Sequence, residues 1–367
     1  MKPTKIAGVS LALGMLLSSS CSTSSSESGE DPRQKLLASW TNDIILPGYA
    51  RLVKDTQSLK KAVDALCDEP SEELWQEAQA AWWAARAPWK EGQIIKFGPY
   101  RDQPLALGSK IDFWPTRPEV VEEILADDEE LDQASLVSRG SPARGFPAVE
   151  QLLYSVDEDV EQAFDPDARR CQYLKVASAD LYDLAQQLLS AWDPEDGNYA
   201  AELTEPGSDK MFEDLKTALS EVTNRLAFTL EDMRGEKLGR PLGEQSGGEP
   251  QPELMESRPS ARSVQDLLDS LRGVELFYFG AKQPESAIGL ANFLPKSPRN
   301  FNEDMLQLLD DCSARLHALE PLEDILQDDP DKVVAAQDCL LEMQTFIQVD
   351  VVNELGLTVN FNDNDGD

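Results

Sequence analysis

The sequence predicts an all-α protein built from two packed helical-bundle domains. Apolar residues recur at helical spacing from about Leu36 onward, whereas the alternation of a half-buried strand is scarce. Hydrophobic residues make up 41% of the 367 residues, enough to form sizeable cores. A turn-rich stretch near 193–209 divides the helical region. We therefore expect a first helical domain at 35–200 and a second at 201–367.

The N-terminal residues read as an export signal. Two lysines precede an apolar run at 6–17, which is too short for a stable membrane span but suits a secretory signal. The residues before Cys21 resemble a bacterial lipobox, in which the cysteine is acylated; ordinary signal cleavage is the alternative. We expect a signal peptide at 1–20, and a lipidated Cys21 with a flexible tether at 21–34. This places the chain in the bacterial cell envelope, lipid-anchored at the outer membrane and facing the periplasm.

Helical periodicity locates the main elements of the body. The clearest helix is expected from Ser71 to Trp89, where Trp75, Trp82 and Trp89 recur every seven residues and form one stripe with alanines. Further helices are expected at 173–192, 209–233, 263–279, 302–319 and 331–355. The segments 96–118 and 237–259 are rich in Gly and Pro and are predicted to be irregular. Loops of that length in a helical protein are usually functional or disordered.

Charge and composition exclude several classes of function. The chain has 33 basic and 68 acidic side chains, a formal net charge of -35, which argues against a nucleic-acid partner. His317 is the single histidine. Zinc sites that need two or three histidines and Ser-His-Asp triads are thereby mostly excluded. We expect His317 on a solvated or half-buried helix face, and any metal must be held by carboxylates.

The cysteines fit the two predicted halves. With Cys21 acylated, four remain, and an exported protein lies in an oxidising compartment. Four cysteines can pair into two disulfides in three different ways, and the sequence alone does not choose among them. Bridges that stay within one half would join Cys67 to Cys171 and Cys312 to Cys339, which is the pairing we expect. Four buried free thiols are the alternative.

The most informative motif lies at 144–154. Gly145, Phe146 and Pro147 form a tight turn into a helix, and Glu150 lies early enough to face the positive end of the helix dipole. On the residues alone, Glu150 is a helix-start carboxylate. The run resembles the GxHxxE region of the imelysin family, in a variant in which Pro147 replaces the histidine.

Other stretches carry the same resemblance over nearly the whole chain after the signal. They are 84–89, 97–99, 111–118, 237–243, 256–257, 271–280 and 355–367. The resemblance implies an all-helical fold of two packed bundle-like domains, with the motif and irregular loop segments at the cleft between them. It also implies a bacterial envelope protein that is linked to iron uptake or described as a peptidase.

Candidate ligand-binding residues come from these motifs. They are Gly145, Pro147, Glu150, Arg86, Trp89, Asp112, Trp114, Arg117 and Glu256. Glu150 and Asp112, with Glu256, are the candidates for an iron or calcium site, because hard cations accept oxygen ligands. Arg86, Arg117 and Arg144 either pair with buried carboxylates or bind a ligand carboxylate. The aromatic residues either line a pocket or belong to the core.

Three functions remain open at this point. The first is non-enzymatic capture of a ligand in the cleft, connected with iron uptake. The second is an imelysin-type peptidase, although Pro147 offers no side-chain ligand to a metal. The third is a structural or partner-binding lipoprotein with a vestigial site. The expected partners are the membrane through the lipid anchor, a small ligand or metal, and another envelope protein.

Overall fold

The computed structural model describes residues 31–156 and 159–359. Within these ranges the regular structure is helical and contains no strand, so the predicted all-α class is confirmed. The predicted signal peptide, Cys21 and the tail from residue 360 lie outside the described residues. The first helix begins at Pro32, inside the segment 21–34 that was predicted to be a flexible tether. None of the described helices is both long and apolar enough to cross a membrane.

The α-helices follow one another closely along the chain. They are α1 (Pro32–Ser39), α2 (Leu46–Asp68), α3 (Glu72–Glu91), α4 (Gly108–Ile111), α5 (Pro118–Ala126), α6 (Gln133–Ser138), α7 (Gly145–Tyr154), α8 (Val160–Ala163), α9 (Arg169–Trp192), α10 (Ala200–Thr204), α11 (Leu215–Glu231), α12 (Arg240–Leu242), α13 (Ser263–Phe279), α14 (Phe301–His317), α15 (Leu322–Asp328), α16 (Pro330–Thr345) and α17 (Val352–Glu354). Three π-helical segments, Trp40–Ile45, Asp232–Gly239 and Phe346–Val351, continue neighbouring helices. Short 3₁₀ turns lie at Gly92–Ile94, Gly98–Tyr100, Ser141–Ala143, Pro252–Leu254 and Leu290–Asn292.

The helices pack into one compact unit from Pro32 onward. Helix α2 lies against α3 and α9, and α7 packs on α3 and α9. In the later part of the chain, α16 packs on α11 and α14. Helix α13 lies directly against α3, so elements from both predicted halves meet at α3. The division of the chain near residue 200 into two domains stays a prediction.

Helix α3 corresponds to the helix that the tryptophan stripe predicts from Ser71 to Trp89. Ser71 caps its N-terminus by accepting a hydrogen bond from a backbone amide of the first turn. Trp82 is fully buried, and its Nε1 donates to the Phe146 carbonyl at 3.1 Å. This contact holds α3 against the start of α7. The same buried face of α3 carries Arg86 and Lys90 into the interior.

Helix α11 differs from the helix predicted at 209–233 at both ends, and its continuation makes the start of the second irregular segment helical. It begins only at Leu215, because Asp214 caps it by accepting a hydrogen bond from the Thr217 amide at 2.8 Å. At its other end the chain continues as the π-helix Asp232–Gly239. π-Helical turns inside longer helices are frequent at functional sites. Here the π-helix places Asp232 against Lys96 of the first half and Lys237 against Glu256.

Two disulfides confirm the predicted pairing. Cys67 on α2 is bonded to Cys171 on α9, and Cys312 on α14 is bonded to Cys339 on α16. Each bridge joins helices that already pack side by side. His317, at the end of α14, is exposed, as expected from its helical position.

Gly145 fixes the start of α7. Its φ of +76° lies in the left-handed region, which residues with a side chain rarely adopt. A Cβ atom at this position would lie 2.3 Å from the carbonyl oxygen of Ile111 and 2.6 Å from that of Lys110. Gly145 therefore allows α7 to begin directly against the backbone of α4. Its role is this close packing of two backbone segments.

We expect Gly145→Ala to lower the free energy of unfolding by at least about 2 kcal/mol, because it adds both backbone strain and a clash with the main chain. Gly48→Ala is the matched control, since Gly48 lies in α2 with open space where its Cβ would be. That change should leave stability within about 1 kcal/mol of wild type. Chemical denaturation of both variants checks this, and equal effects would contradict the proposed role of Gly145.

Candidate functional site

Arg86 lies at the centre of a buried ionic cluster. Its side chain is almost wholly buried on α3. Nη1 donates to Asp112 Oδ1 at 2.7 Å, and Nε donates to Asp266 Oδ2 at 3.0 Å. Nη2 lies 3.2 Å from Glu256 Oε1. We call Arg86, Asp112, Glu256 and Asp266 the Arg86 cluster; it joins α3, the first irregular segment, the second irregular segment and α13.

Two lysines complete the surroundings of Glu256. Lys90 Nζ donates to Glu256 Oε2 at 2.8 Å, and Lys237 Nζ lies 3.1 Å from Glu256 Oε1. Burial opposes ionisation of this carboxyl, but Lys237, Lys90 and Arg86 outweigh it and hold its pKa well below the usual range. Burial also lowers the pKa of Lys237. Glu256 is thus a fully compensated carboxylate.

Asp266 is compensated in the same way. It is completely buried and accepts from Ser257 Oγ at 2.7 Å in addition to Arg86. Arg262 also donates to Asp266, and its Nη2 donates to Asp269 Oδ2 at 2.7 Å. The chain between Glu256 and α13 is therefore attached to α3 through buried charges.

The predicted tryptophans belong to the wall of this cluster. Trp89 Nε1 donates to Asp112 Oδ2 at 2.7 Å, and its ring stacks on Tyr100 with 5.5 Å between centroids. The Trp114 ring lies under Lys237, whose Nζ is 3.7 Å from the ring centroid. Both residues are thus packed against charged side chains.

Glu150 differs from the carboxylates of the cluster. It is 2% exposed and forms no ion pair within the described part of the chain. Its Oε1 accepts from the Ser260 amide at 3.0 Å and from Ser260 Oγ at 2.6 Å. No described residue donates to Oε2. Burial raises the pKa of Glu150 to about 7, although the bonds from Ser260 and the charge of Arg86 oppose this rise.

Glu150 lines a cavity of about 690 Å³, which we call the Glu150 cavity. Its wall combines the segment 116–121 and helix α7 with residues 253–259 and Glu323 of the second half. Pro147 and Arg117 also line it, whereas Arg86, Trp89, Asp112, Trp114 and Glu256 do not. Arg117 is exposed, and its guanidinium lies 5.5 Å from the centroid of the Phe113 ring. The predicted ligand-binding set therefore divides between a cavity and a buried cluster.

The carboxylate metal site considered from the sequence is not formed. The described residues contain no group of three His, Cys, Asp or Glu side chains that could hold a metal ion. Asp112 and Glu256 are held by Arg86 and lysines, and Glu150 is bonded to Ser260. Pro147 supplies no ligand at the position of the motif histidine. This donor set does not fit iron or calcium, and the candidate metal ligands Glu150 and Asp112 are engaged by Ser260 and by Arg86.

The predicted arginines have different surroundings. Arg144 is buried and donates from Nε to Asp180 Oδ2 at 2.8 Å, which ties the start of α7 to α9. Arg86 is paired inside the cluster. Arg117 alone among the three faces the cavity.

Comparison with known proteins identifies the family to which this arrangement belongs. The sequence pattern of the family described as Imelysin, Peptidase_M75, matches residues 45–345. The chain belongs to the imelysin family. The matched range contains the Arg86 cluster and all the residues that line the Glu150 cavity, and it includes the run 145–150 that resembles the family motif.

Individual relatives support the same assignment. Iron-regulated protein A of Synechococcus elongatus is 25% identical over 253 residues, which are 68% of this chain and 65% of that protein. An iron-regulated protein A precursor from Parabacteroides distasonis has a TM-score of 0.76 and 22% identity, over 90% of this chain and 97% of that one. An imelysin-like protein from Psychrobacter arcticum gives a TM-score of 0.74 and 20% identity with the same coverage. The two solved structures share the imelysin fold with this chain.

Sequence reasoning missed several residues of the site. They are Lys90, Lys237, Ser257, Ser260, Arg262 and Asp266. One signal was available: on α13, Asp266 falls among Val264, Leu267 and Leu271, a core-facing position where a carboxylate needs a cation. The serines had no such signal, because only the folded chain brings Ser260 to Glu150.

We expect Arg86→Met to lower the free energy of unfolding by about 3–5 kcal/mol, because it leaves buried carboxylates without their central cation. Arg51→Met is the matched control, since Arg51 lies on the neighbouring α2 and forms an exposed pair with Glu91 at the end of α3. That change should cost no more than about 1 kcal/mol. Urea denaturation measures both, and a similarly small loss at Arg86 would contradict the structural role of the cluster.

Glu150→Gln should have the opposite effect on stability. The folded-state pKa of about 7 lies above the usual 4.5, so protonated Glu150 favours the folded state and this stability is lost as the pH rises from 4.5 through 7. Gln has no such loss and still accepts from Ser260. We expect the variant to exceed wild type by on the order of 3 kcal/mol at pH 8, with the difference vanishing near pH 4.5.

Denaturation at a series of pH values tests this, with Glu253→Gln at the exposed rim of the same cavity as the control. The control should show no comparable gain at pH 8. A loss of stability in Glu150→Gln at pH 8 would mean that its negative charge is needed by Arg86, and that Glu150 is a structural ion partner.

Proposed function

We propose that this imelysin-family protein is a non-enzymatic binding lipoprotein of the bacterial envelope, which captures a small organic ligand in the Glu150 cavity and serves iron uptake. One observation carries the proposal. Glu150 is a buried carboxylate that forms no ion pair with any described residue, and one of its oxygens, which receives no hydrogen bond from these residues, is left for a group that enters the cavity.

The energetics of Glu150 support a binding role. An uncompensated buried carboxylate reduces stability, and buried ionisable groups with raised pKa values in a cleft are characteristic of functional sites. A purely structural carboxylate in this chain has cations around it, as Glu256 and Asp266 do. An uncompensated carboxylate like Glu150 destabilises the fold, so in a vestigial site substitution would readily replace it. Its presence favours a working site over a vestigial one.

The shape of the cavity supports the same function. About 690 Å³ falls within the usual range for small-molecule sites, roughly 300–1,000 Å³. The wall is contributed by segments distant in sequence, and the Arg86 cluster holds these segments together by buried charges. A pre-formed site of this kind loses little entropy when a ligand binds.

The link to iron and to the envelope rests on relatives and on the N-terminal sequence. The Synechococcus relative is named an iron-regulated protein, and the family is represented by a precursor protein of the same description in Parabacteroides. In this chain the signal-like run and Cys21 precede the folded body. We infer an outer-membrane lipid anchor at Cys21 that holds the cavity in the periplasm, where it can meet envelope partners.

The peptidase alternative has less support in this geometry. Pro147 occupies the histidine position of the motif, and the carboxylates near it do not converge on a metal. Glu150 has its Oε1 occupied by Ser260. The two hydrogen bonds from Ser260 hold the Glu150 carboxylate in one orientation, as is expected of a group that recognises a ligand in a binding cavity.

Native mass spectrometry tests the proposal on protein purified from the envelope of its own cells, grown with and without iron. We expect wild type to retain a small organic molecule. Gln151→Trp should lose it, because Gln151 is half-buried on the cavity wall and an indole there would fill the space.

Gln187→Trp is the matched control, since Gln187 is exposed on α9 outside the cavity. It should retain the molecule as wild type does. A molecule that survives Gln151→Trp binds elsewhere and contradicts the proposal. Wild-type protein that carries no molecule from either culture contradicts it as well.

A further inference from the structure

We propose that the ligand of the Glu150 cavity is an organic ammonium ion, whose N–H groups bond to the free carboxylate oxygen of Glu150 while its hydrocarbon part lies against a proline-rich wall. This inference rests on the proposed function and adds the chemical class of the ligand. The unfilled hydrogen-bond site of Glu150, the acidic and apolar wall of the cavity, and the protonation of Glu150 support this ligand class.

The hydrogen bonds of Glu150 require a donor. Both donors of Ser260 bond to Oε1, at 3.0 Å and 2.6 Å. Oε2 receives no hydrogen bond from the described residues, and an ionised carboxylate is an acceptor only. A ligand carboxylate or phosphate would place acceptor against acceptor at this point. The group that satisfies Oε2 of the ionised carboxylate must therefore carry N–H or O–H, whereas protonated Glu150 would itself donate from Oε2.

The charges around the cavity favour a cation. Besides Glu150, its wall contains Glu119, Glu253 and Glu323, against two basic residues, Arg117 and Arg258. Arg258 Nη2 is 2.7 Å from Glu323 Oε1, so these two charges compensate each other and leave Glu150, Glu119 and Glu253 against Arg117. The whole chain has a net charge of -35, which attracts cations to its surface and repels anions. A positively charged donor satisfies both the local and the overall electrostatics.

The remaining wall fits a hydrocarbon body and a primary amine. Pro118, Pro142, Pro147 and Pro259 line the cavity together with Leu254 and Met255. No aromatic ring is among the described residues of this wall. Quaternary ammonium groups are recognised by aromatic cages, which this wall does not provide. An ammonium with N–H groups gains the bond to Oε2, whereas its trimethylated analogue cannot.

Binding of an ammonium ion should exchange with a proton on Glu150. The charged or titratable groups around Glu150 are Arg86 on α3, Asp266 on α13 and Tyr154 on α7, with Arg117, Glu119, Glu253, Arg258 and Glu323 around the cavity. With a pKa of about 7, much of Glu150 is protonated in the free protein below neutral pH. A bound cation stabilises the ionised form, so affinity should rise with pH and protons should be released on binding.

Isothermal titration calorimetry of the full purified chain tests this with four probes of equal chain length. They are n-hexylamine, hexyltrimethylammonium, hexanoate and 1-hexanol. We expect hexylamine to bind at least about tenfold more tightly than the other three at pH 8. Its affinity should fall about tenfold from pH 8 to pH 6, because the ionised fraction of Glu150 falls by about that factor. At pH 6, buffers of different ionisation enthalpy should show nearly one proton released.

Two variants separate the contact from bulk charge. Glu150→Gln keeps the acceptor for Ser260 but directs an NH₂ group into the cavity, and should abolish hexylamine binding and its pH dependence. Glu123→Gln removes a charge from the exposed face of α5, outside the cavity wall, and should change affinity less than about threefold. An equal loss in both variants would overturn the inference, since it would show attraction to net charge only.

The outcomes also distinguish this inference from the proposed function. If hexanoate or hexanol binds as tightly as hexylamine and Gln151→Trp abolishes that binding, the cavity is a ligand site but the ammonium inference is wrong. If no probe binds, the molecule retained from native cells decides: one with a protonated amine supports the inference, and one without it overturns it. If nothing is retained and no probe binds, both proposals fail.

Discussion

The buried guanidinium of Arg86 is the interaction on which the site depends. A buried arginine is tolerable only where carboxylates surround it, and here Asp112, Asp266 and Glu256 come from three separate stretches of the chain. Each of these stretches is irregular or adjoins irregular backbone, and Arg86 attaches all three to α3, with further bonds from Trp89 to Asp112 and from Lys90 to Glu256. The cluster therefore determines where residues 256–262 lie, and through them where Ser260 meets Glu150.

Two kinds of buried carboxylate lie close together in this protein, and their surroundings give them opposite properties. Glu256 has two lysines and Arg86 beside it, and its pKa is held well below the usual range. Glu150 has Ser260 as its direct partner and only the more distant charge of Arg86, so burial prevails and its pKa rises to about 7. The first arrangement stabilises the fold. The second leaves a carboxylate that is ready to gain or lose a proton near neutral pH when its surroundings change.

The sequence was sufficient for the fold class, the main helices and both disulfides, because periodicity and cysteine number are local or global properties of the chain. It also identified Gly145 and Glu150 through the motif. It left open whether Arg86 pairs with a buried carboxylate or binds a ligand, and it did not reveal Asp266 as a partner, because pairing across 180 residues leaves no local pattern. The helical course of residues 237–239, at the start of the second irregular segment, was missed because that segment is rich in Gly and Pro, while packing of the π-helix against α16 overrides that preference.

Pro147 explains why the same motif can serve a different chemistry in this chain. It lies in the first turn of α7, where the missing amide breaks no helical hydrogen bond, and one turn before Glu150, so both side chains face the Glu150 cavity. A histidine at this position would place an imidazole beside the carboxylate and create a polar pair able to share a proton or a cation. The pyrrolidine ring instead gives an apolar neighbour beside Glu150, which is the buried carboxylate of that wall, whereas Glu119 and Glu253 are exposed. In the function proposed above, such a wall would select an organic molecule by one charged contact and by the fit of its hydrocarbon part.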